Sequence, residues 1–313
     1  MTVAPLPDLS AHRFAISGAS GFLGRHIIHL LKQQGAQIIA LRRPGTQPLA
    51  DDSIQQHTID FSSEAACAHT LHQLQPTQLI HLAGYANTDR SIVSIANALQ
   101  INVGASINLI LGAMDKVPDC RVILPGSFEH ASPWREPLKL GSPYGMSKAM
   151  VEVLSGSLNL LYDANVINMR IGMAYGEYDP NDRRIVPSVI LSYLAGQSPA
   201  ISSGGRLCDW IHAEDVAEAL IRGSLLPKAS PASIDVGWGK LGSIAEVVEI
   251  IRDIIGTDIQ PTISAQLARK NEQARCAELG AASVALGGWL PRIGLREGLE
   301  RTVAWYREGH GKR

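Results

Sequence analysis

The sequence predicts an α/β protein: a parallel sheet covered by helices on both faces, followed by a smaller α/β lobe. Three observations carry this. Short apolar runs alternate with longer amphipathic stretches through about the first 170 residues. The runs are uniformly apolar, as in strands buried on both sides. A glycine-rich turn, SGASGFLG (17–24), sits between the first run and the first helical stretch.

The elements follow in order. RFAIS (13–17) is the first strand. GRHIIHLLKQQG places Ile27, Ile28, Leu30 and Leu31 on one helical side and stops at Gly35, a residue suited to a helix C-terminus. QIIAL (37–41) and QQHTID (55–60) are the next strands. AACAHTLHQL reads as helix and QLIHLAG (78–84) as the fourth strand. A long helix covers 95–114, and RVILPGS (121–127) is the fifth strand. A helix over 147–165 leads into the strand VINMRI (166–171). Beyond about 172 the pattern loosens, and AYGEYDPNDRR is loop-like. Helix signals then fall at 185–195, 213–225, 243–255 and 295–307, with a strand at SIDVGW (233–238). No repeat or low-complexity linker divides the chain, so the second half is expected to pack on the first.

At 313 residues the chain has room for one large domain or two unequal lobes. A net charge of −1 argues against a broad electrostatic grip on nucleic acid or acidic lipid. The N-terminal stretch has no apolar core of a signal peptide. No run reaches the roughly 18 apolar residues of a membrane helix. Cys67, Cys120, Cys208 and Cys276 are far apart and form no CxxC pair, so neither a metal site nor a disulfide framework is expected. The expectation is a cytoplasmic protein with reduced thiols that binds neither membrane nor nucleic acid.

The glycines at 18, 21 and 24 fit a phosphate turn. The first permits the tight turn, the middle one lets a diphosphate approach the backbone, and the last allows close helix packing; the helix N-terminus faces the anion. An acidic residue at the end of the second strand binds the ribose hydroxyls of NAD, whereas arginine accommodates the extra phosphate of NADP. That strand ends in Arg42 and Arg43, so NADP(H) is expected over NAD(H). At the end of the third strand, Asp60 and Phe61 could bracket the adenine, or serve as a loop cap and a packed ring.

SPYGMSKAMVE contains Tyr144 and Lys148 at i, i+4, on one helical face. Ser127 ends the fifth strand, at the same sheet edge as the phosphate turn. A free phenol titrates near pH 10; a nearby ammonium favours the phenolate and is expected to lower the Tyr144 pKa. A hydroxyl beside it can hold a substrate oxygen. Such a set moves a proton on or off an alcohol or carbonyl while hydride moves at its carbon.

Together these motifs resemble the extended short-chain dehydrogenase/reductase family, the NAD(P)-dependent epimerases, dehydratases and reductases of nucleotide sugars. SGASGFLG, HLAG (81–84), INVGASINLILGA with Asn102, SPYGMSK, MRIGMAYG, DWIHAEDVAEA and the C-terminal LGGWLPRIGLREGLERTVAWYREG carry the resemblance over nearly the whole chain. It implies a Rossmann domain at 1–172 and a substrate lobe at 173–313, with about 209–238 returning to the first domain. Gly18, Ser20, Gly21, Phe22, Leu23 and Gly24 would cradle the cofactor. Leu82, Ala83, Gly84 and Ile171 would lie beside it. Tyr144 would be the acid/base, Lys148 would orient the ribose and tune Tyr144, and Ser127 would hold the sugar oxygen. A homodimer is also expected. The helices at 95–114 and 147–162 carry apolar residues on more than one face, including Leu109, Ile110, Val153, Leu154, Leu158 and Leu161, and four-helix pairing is common in the family.

The sequence departs from the family pattern at three places. Phe128 and Glu129 follow Ser127 where 4,6-dehydratases usually place an acid/base carboxylate pair. Met173 replaces an asparagine common in epimerases, where it touches the substrate diphosphate. Cys208 stands where many members have arginine, and Arg206 is a candidate to replace it. Arg275 is a second diphosphate candidate. With Arg42 and Arg43, these departures lead to the expectation of an NADP(H)-dependent reductase of a nucleotide-activated keto-deoxysugar. The alternatives are a nucleotide-sugar epimerase with bound NAD, a 4,6-dehydratase, and a non-catalytic NADP sensor.

Overall fold

Apolar runs too short for a helix become the strands of a central sheet, and the amphipathic stretches between them cover it. The computed structural model describes residues 5–87, 91–129, 141–202, 204–228, 230, 232–264 and 274–309. The first half contains β1 (Arg13–Ser17), α1 (Phe22–Gln33), β2 (Gln37–Arg42), β3 (Gln55–Thr58), α2 (Glu64–Leu74) and β4 (Gln78–His81). It continues through α3 (Ile92–Ala98), a π turn (Leu99–Gly104), α4 (Ala105–Lys116), β5 (Arg121–Ser127), α5 (Pro143–Tyr162) and β6 (Val166–Ile171). The second half contains β7 (Met173–Tyr175), α6 (Ile185–Leu194), β8 (Ala200–Ile201), β9 (Leu207–His212), α7 (Ala213–Ser224) and β10 (Ser233–Val236). It ends with β11 (Leu241–Ser243), α8 (Ile244–Ile255), β12 (Thr262–Ile263), α9 (Leu279–Ala285) and α10 (Leu295–Arg307).

Seven parallel strands form the sheet, in the order β10-β6-β5-β4-β1-β2-β3. The chain leaves β1 toward β2 on one side and later returns to β4 on the other. The crevice at that reversal is where open α/β sheets bind ligands, and the glycine turn after β1 lies in it. One face of the sheet is covered by α1 and α7 around Ile16, Ile80 and Ile123; the other by α2, α4 and α5 around Leu41, Leu79 and Leu124. A third core joins α6, α8 and α10 to β7 and β9.

Several boundaries differ from the sequence expectation for local reasons. Helix α5 begins at Pro143, because Ser142 caps it by accepting from Gly145 N at 3.0 Å and proline suits the first turn. β4 stops at His81, since Leu82–Gly84 turn out of the sheet against Gly18. The expected helix over 95–114 runs from Ile92 to Lys116, and a π turn interrupts it. Those 25 residues are together long and apolar enough to cross a membrane by length and composition, but Leu109, Ile110 and Ala113 are buried in the core.

Candidate active site

The glycine turn has the shape that phosphate binding requires. Gly18 has φ +71°, a conformation side chains disfavour, and a Cβ there would meet Ala83 N at 2.8 Å. A Cβ on Gly24 would lie 2.4 Å from Gly18 O, so α1 is pressed against the turn. No side chain caps α1, and no acidic residue stands in its first turn. Its leading N–H groups are therefore available to an anion. These features fit a dinucleotide diphosphate along Gly18, Ser20, Gly21, Phe22, Leu23 and Gly24.

Around the turn, the Ser17 hydroxyl accepts from Ala83 N (3.0 Å) and lies 2.6 Å from His81 Nδ1. The π turn aims Asn102 inward. Its Oδ1 accepts from Tyr85 N at 2.7 Å, and its Nδ2 donates to Tyr85 O and Ser147 Oγ. Asn102 thus ties the loop after β4 to α5, which carries Tyr144 and Lys148, and π turns are common at functional sites.

Arg42 donates Nη1 to Thr46 O at 2.6 Å and braces the turn after β2; Arg43 is exposed. Asp60 caps its own loop through Ser62 N and Oγ, and the Phe61 ring is buried 5.8 Å from the His81 ring. This pair thus forms a loop cap and a packed ring beside the end of β3, and its contact with an adenine stays a proposal.

Ser127, Tyr144 and Lys148 converge at the C-terminal edge of β5. Lys148 Nζ donates to Pro125 O at 2.7 Å and lies 5.7 Å from the Tyr144 ring centroid. Ser127 Oγ accepts from Glu129 N at 3.0 Å. Burial and then the Glu129 carboxylate push the Tyr144 phenol up to about 12; the Arg184 guanidinium and a hydrogen bond with Ser127 pull the other way. This corrects the expectation that Lys148 lowers the Tyr144 pKa: burial dominates, and the phenol is held neutral. Burial also lowers the Lys148 pKa, to about 8.

Phe128 leaves β5 with its N–H on Ile171 O at 3.0 Å, and Arg275 lies over its ring, 4.8 Å from the centroid. Arg275 is held by Asp235, which is 5% exposed, at 2.9 Å; Asp235 also takes Arg170 Nε at 2.6 Å. Arg275 therefore stands at the wall beside Phe128. Met173 is half-buried on β7, opposite Trp210. Cys208 is buried on β9, and Arg206 precedes that strand with its carbonyl on Ile244 N. Sequence reasoning missed Arg184 and Asp235. Their roles depend on contacts between distant segments, and no local pattern marks them.

The sequence model of the NAD dependent epimerase/dehydratase family matches residues 14–237. The chain is 26% identical to a dTDP-glucose 4,6-dehydratase of Streptomyces antibioticus, over 94% of this chain and 92% of that protein. It is 24% identical to a UDP-glucose 4-epimerase of Mycolicibacterium smegmatis, over 94% of this chain and 98% of that one. Its fold is similar to that of MoeE5, solved in complex with UDP-glucose and NAD. The TM-score is 0.82 and the identity 25%, covering 95% of this chain and 99% of that one. With its glycine turn, its serine, tyrosine and lysine and this family match, the chain belongs to the NAD dependent epimerase/dehydratase family, enzymes of the extended short-chain dehydrogenase/reductase type that use a nicotinamide dinucleotide.

Proposed function

We propose that the protein is an epimerase of a nucleotide-activated hexose that keeps its nicotinamide dinucleotide through the cycle. Phe128 is the observation that carries this. In a 4,6-dehydratase a carboxylate at this position shares in removing water from the sugar. A phenyl ring, placed beneath Arg275, transfers no proton. Glu129 alone remains of the pair. Epimerisation needs only one oxygen deprotonated and reprotonated, a task for Tyr144 and Ser127.

Held along residues 18–24, a nicotinamide dinucleotide would supply reversible hydride transfer at the sugar carbon. The chain's residues handle the proton. Tyr144 takes it from the sugar hydroxyl and later gives it back to the same oxygen. Ser127 holds the same oxygen by hydrogen bond. Lys148, 5.7 Å from the Tyr144 ring centroid, would orient the ribose beside the phenol.

A second reading, the NADP(H)-dependent reductase, is favoured by two observations. Burial raises the Tyr144 pKa to about 12, so the phenol is neutral, the form that donates a proton to a carbonyl oxygen. Arg42 and Arg43 occupy the position that favours NADP(H). In either reading we place the protein in the cytoplasm as a homodimer.

The test is incubation with UDP-glucose, UDP-galactose, dTDP-glucose and a dTDP-4-keto-6-deoxyhexose, followed by NMR and by absorbance of the reduced nicotinamide. An epimer formed without net change in absorbance is expected. Net oxidation of NADPH by the keto sugar establishes the reductase instead. Conversion of dTDP-glucose to a keto-deoxysugar would remove the argument from Phe128.

A further inference from the structure

Arg184 immediately precedes α6, on the lobe opposite the phosphate turn, yet its guanidinium lies over the Phe22 ring, 5.3 Å from the centroid. Phe22 is the first residue of α1, inside the turn itself. The arginine is locked in place. Nη1 donates to Asp179 Oδ2 at 2.9 Å, and Nη2 to Ala174 O at 2.6 Å. Asp179 is 3% exposed; its Oδ1 takes Asn181 N, and its carbonyl takes the Tyr306 hydroxyl at 2.6 Å. A guanidinium has five N–H donors, and these contacts use one on each terminal nitrogen. The side chain is still 33% exposed. Its charge also reaches Tyr144, where it opposes the effect of burial on the phenol. Arg184 thus stands between the phosphate turn and the catalytic tyrosine.

We propose that Arg184 binds a diphosphate, closing over the N-terminus of α1 so that the ligand is held between backbone N–H groups of the first domain and a fixed guanidinium of the second. The inference rests on the dinucleotide reading of the turn. Both the cofactor and a nucleotide-sugar substrate carry this group; stacking on Phe22 favours the cofactor's. Asp179 is a positioning residue: it fixes the fork before the ligand arrives, which reduces the ordering cost of binding. The planar fork suits phosphate oxygens better than a lysine ammonium does.

The experiment compares Arg184→Gln and Arg184→Lys with the wild type. Thermal melting without ligand reports on folding. ADP-ribose, NAD and UDP are then titrated separately. ADP-ribose carries the cofactor's diphosphate without nicotinamide, and UDP carries the substrate's without sugar. Arg184→Gln is expected to weaken ADP-ribose and NAD about ten- to a hundred-fold, the size of a charged hydrogen bond. Arg184→Lys keeps a cation beside Asp179 and should weaken them about three- to tenfold. Loss of UDP affinity with ADP-ribose unchanged assigns the arginine to the substrate's diphosphate. Unchanged affinity for both ligands in a variant that melts like the wild type overturns the proposal. If Arg184→Gln does not fold, unchanged affinities in Arg184→Lys overturn it equally. A wild-type protein that binds neither ADP-ribose nor UDP would overturn the dinucleotide reading and this inference with it.

Discussion

At the scale of single residues, two opposite pressures meet in the site. Burial disfavours the charged form of every group, so it raises the Tyr144 phenol to about 12 and lowers the Lys148 ammonium to about 8. Tyr144→Phe removes the oxygen proposed to transfer the proton and keeps the ring. A positioned general acid or base contributes about 10²–10⁴-fold, so kcat should fall by that amount with dinucleotide affinity retained. Single-turnover rates and a cofactor titration check both halves. Lys148 gives a pH prediction. Below about pH 8 the ammonium is protonated in the folded and the unfolded chain, and its burial costs stability in full. From about 8 to the ordinary 10.5 the folded chain loses the proton first, so the unfolded chain binds more protons and stability rises with pH. Lys148→Met lacks that rise. Urea unfolding of both proteins across this window should show the wild type gaining on the variant as pH increases; a constant difference would mean that Lys148 titrates normally.

At the scale of elements, glycines distinguish open from closed helix surfaces. Gly112 in α4 faces α2, and a Cβ there would lie 2.9 Å from Ala68 N, a backbone atom that cannot swing aside. Gly156 in α5 has nothing within 4 Å of such a Cβ. Alanine is a better helix former than glycine by about 1 kcal/mol. Gly156→Ala should therefore stabilise by about 0.5–1 kcal/mol, whereas Gly112→Ala should destabilise by about 1–3 kcal/mol as α2 and α4 are forced apart. Chemical denaturation measures both, and equal signs would refute the packing argument. The same contrast explains what the sequence reveals. Strands buried on two faces read as apolar runs, so β1, β5 and β6 are legible to the residue. In the second half β7, β8, β11 and β12 have three residues or fewer, too short for any periodicity. β9 hides its signal because Asp209 and His212 are buried within it. Asp209 accepts from Trp238 N, Gly239 N and Ala277 N and ties three segments together. Tyr144, Lys148 and Ser127 are legible because helix spacing and a strand end place them. Arg184, Asp179 and Asp235 are not, because only tertiary contacts bring them to the site.

At the scale of the whole molecule, several large apolar side chains on α3, α4 and α5 are exposed among the described residues. Of the apolar residues expected on more than one face of these helices, Leu109, Ile110 and Leu158 are 0%, 1% and 9% exposed and belong to the protomer's own core, whereas Leu161 is exposed. Exposed with it are Ile92 and Val93 on α3, Leu111 on α4, and Met150, Leu160 and Tyr162 on α5. Ile92 and Leu160 are 84% and 85% exposed. Met150 and Leu161 are three helical turns apart and so share a side of α5, beside the packed α3. An isolated exposed leucine needs no explanation, but a stripe along two adjacent helices does. A two-fold mate would cover it with the same stripe of its own, α3–α4 and α5 meeting their counterparts in a four-helix arrangement. Light scattering at micromolar concentration should then give twice the 33.6 kDa chain mass. Met150→Asp combined with Leu161→Asp places two carboxylates in that contact, each brought near its symmetry copy. The dimer should dissociate while the far-ultraviolet circular dichroism stays unchanged, because both side chains point away from the protomer core. A wild-type chain that scatters as a single copy, or a double variant that stays paired, would show that this stripe is covered by something other than a second copy.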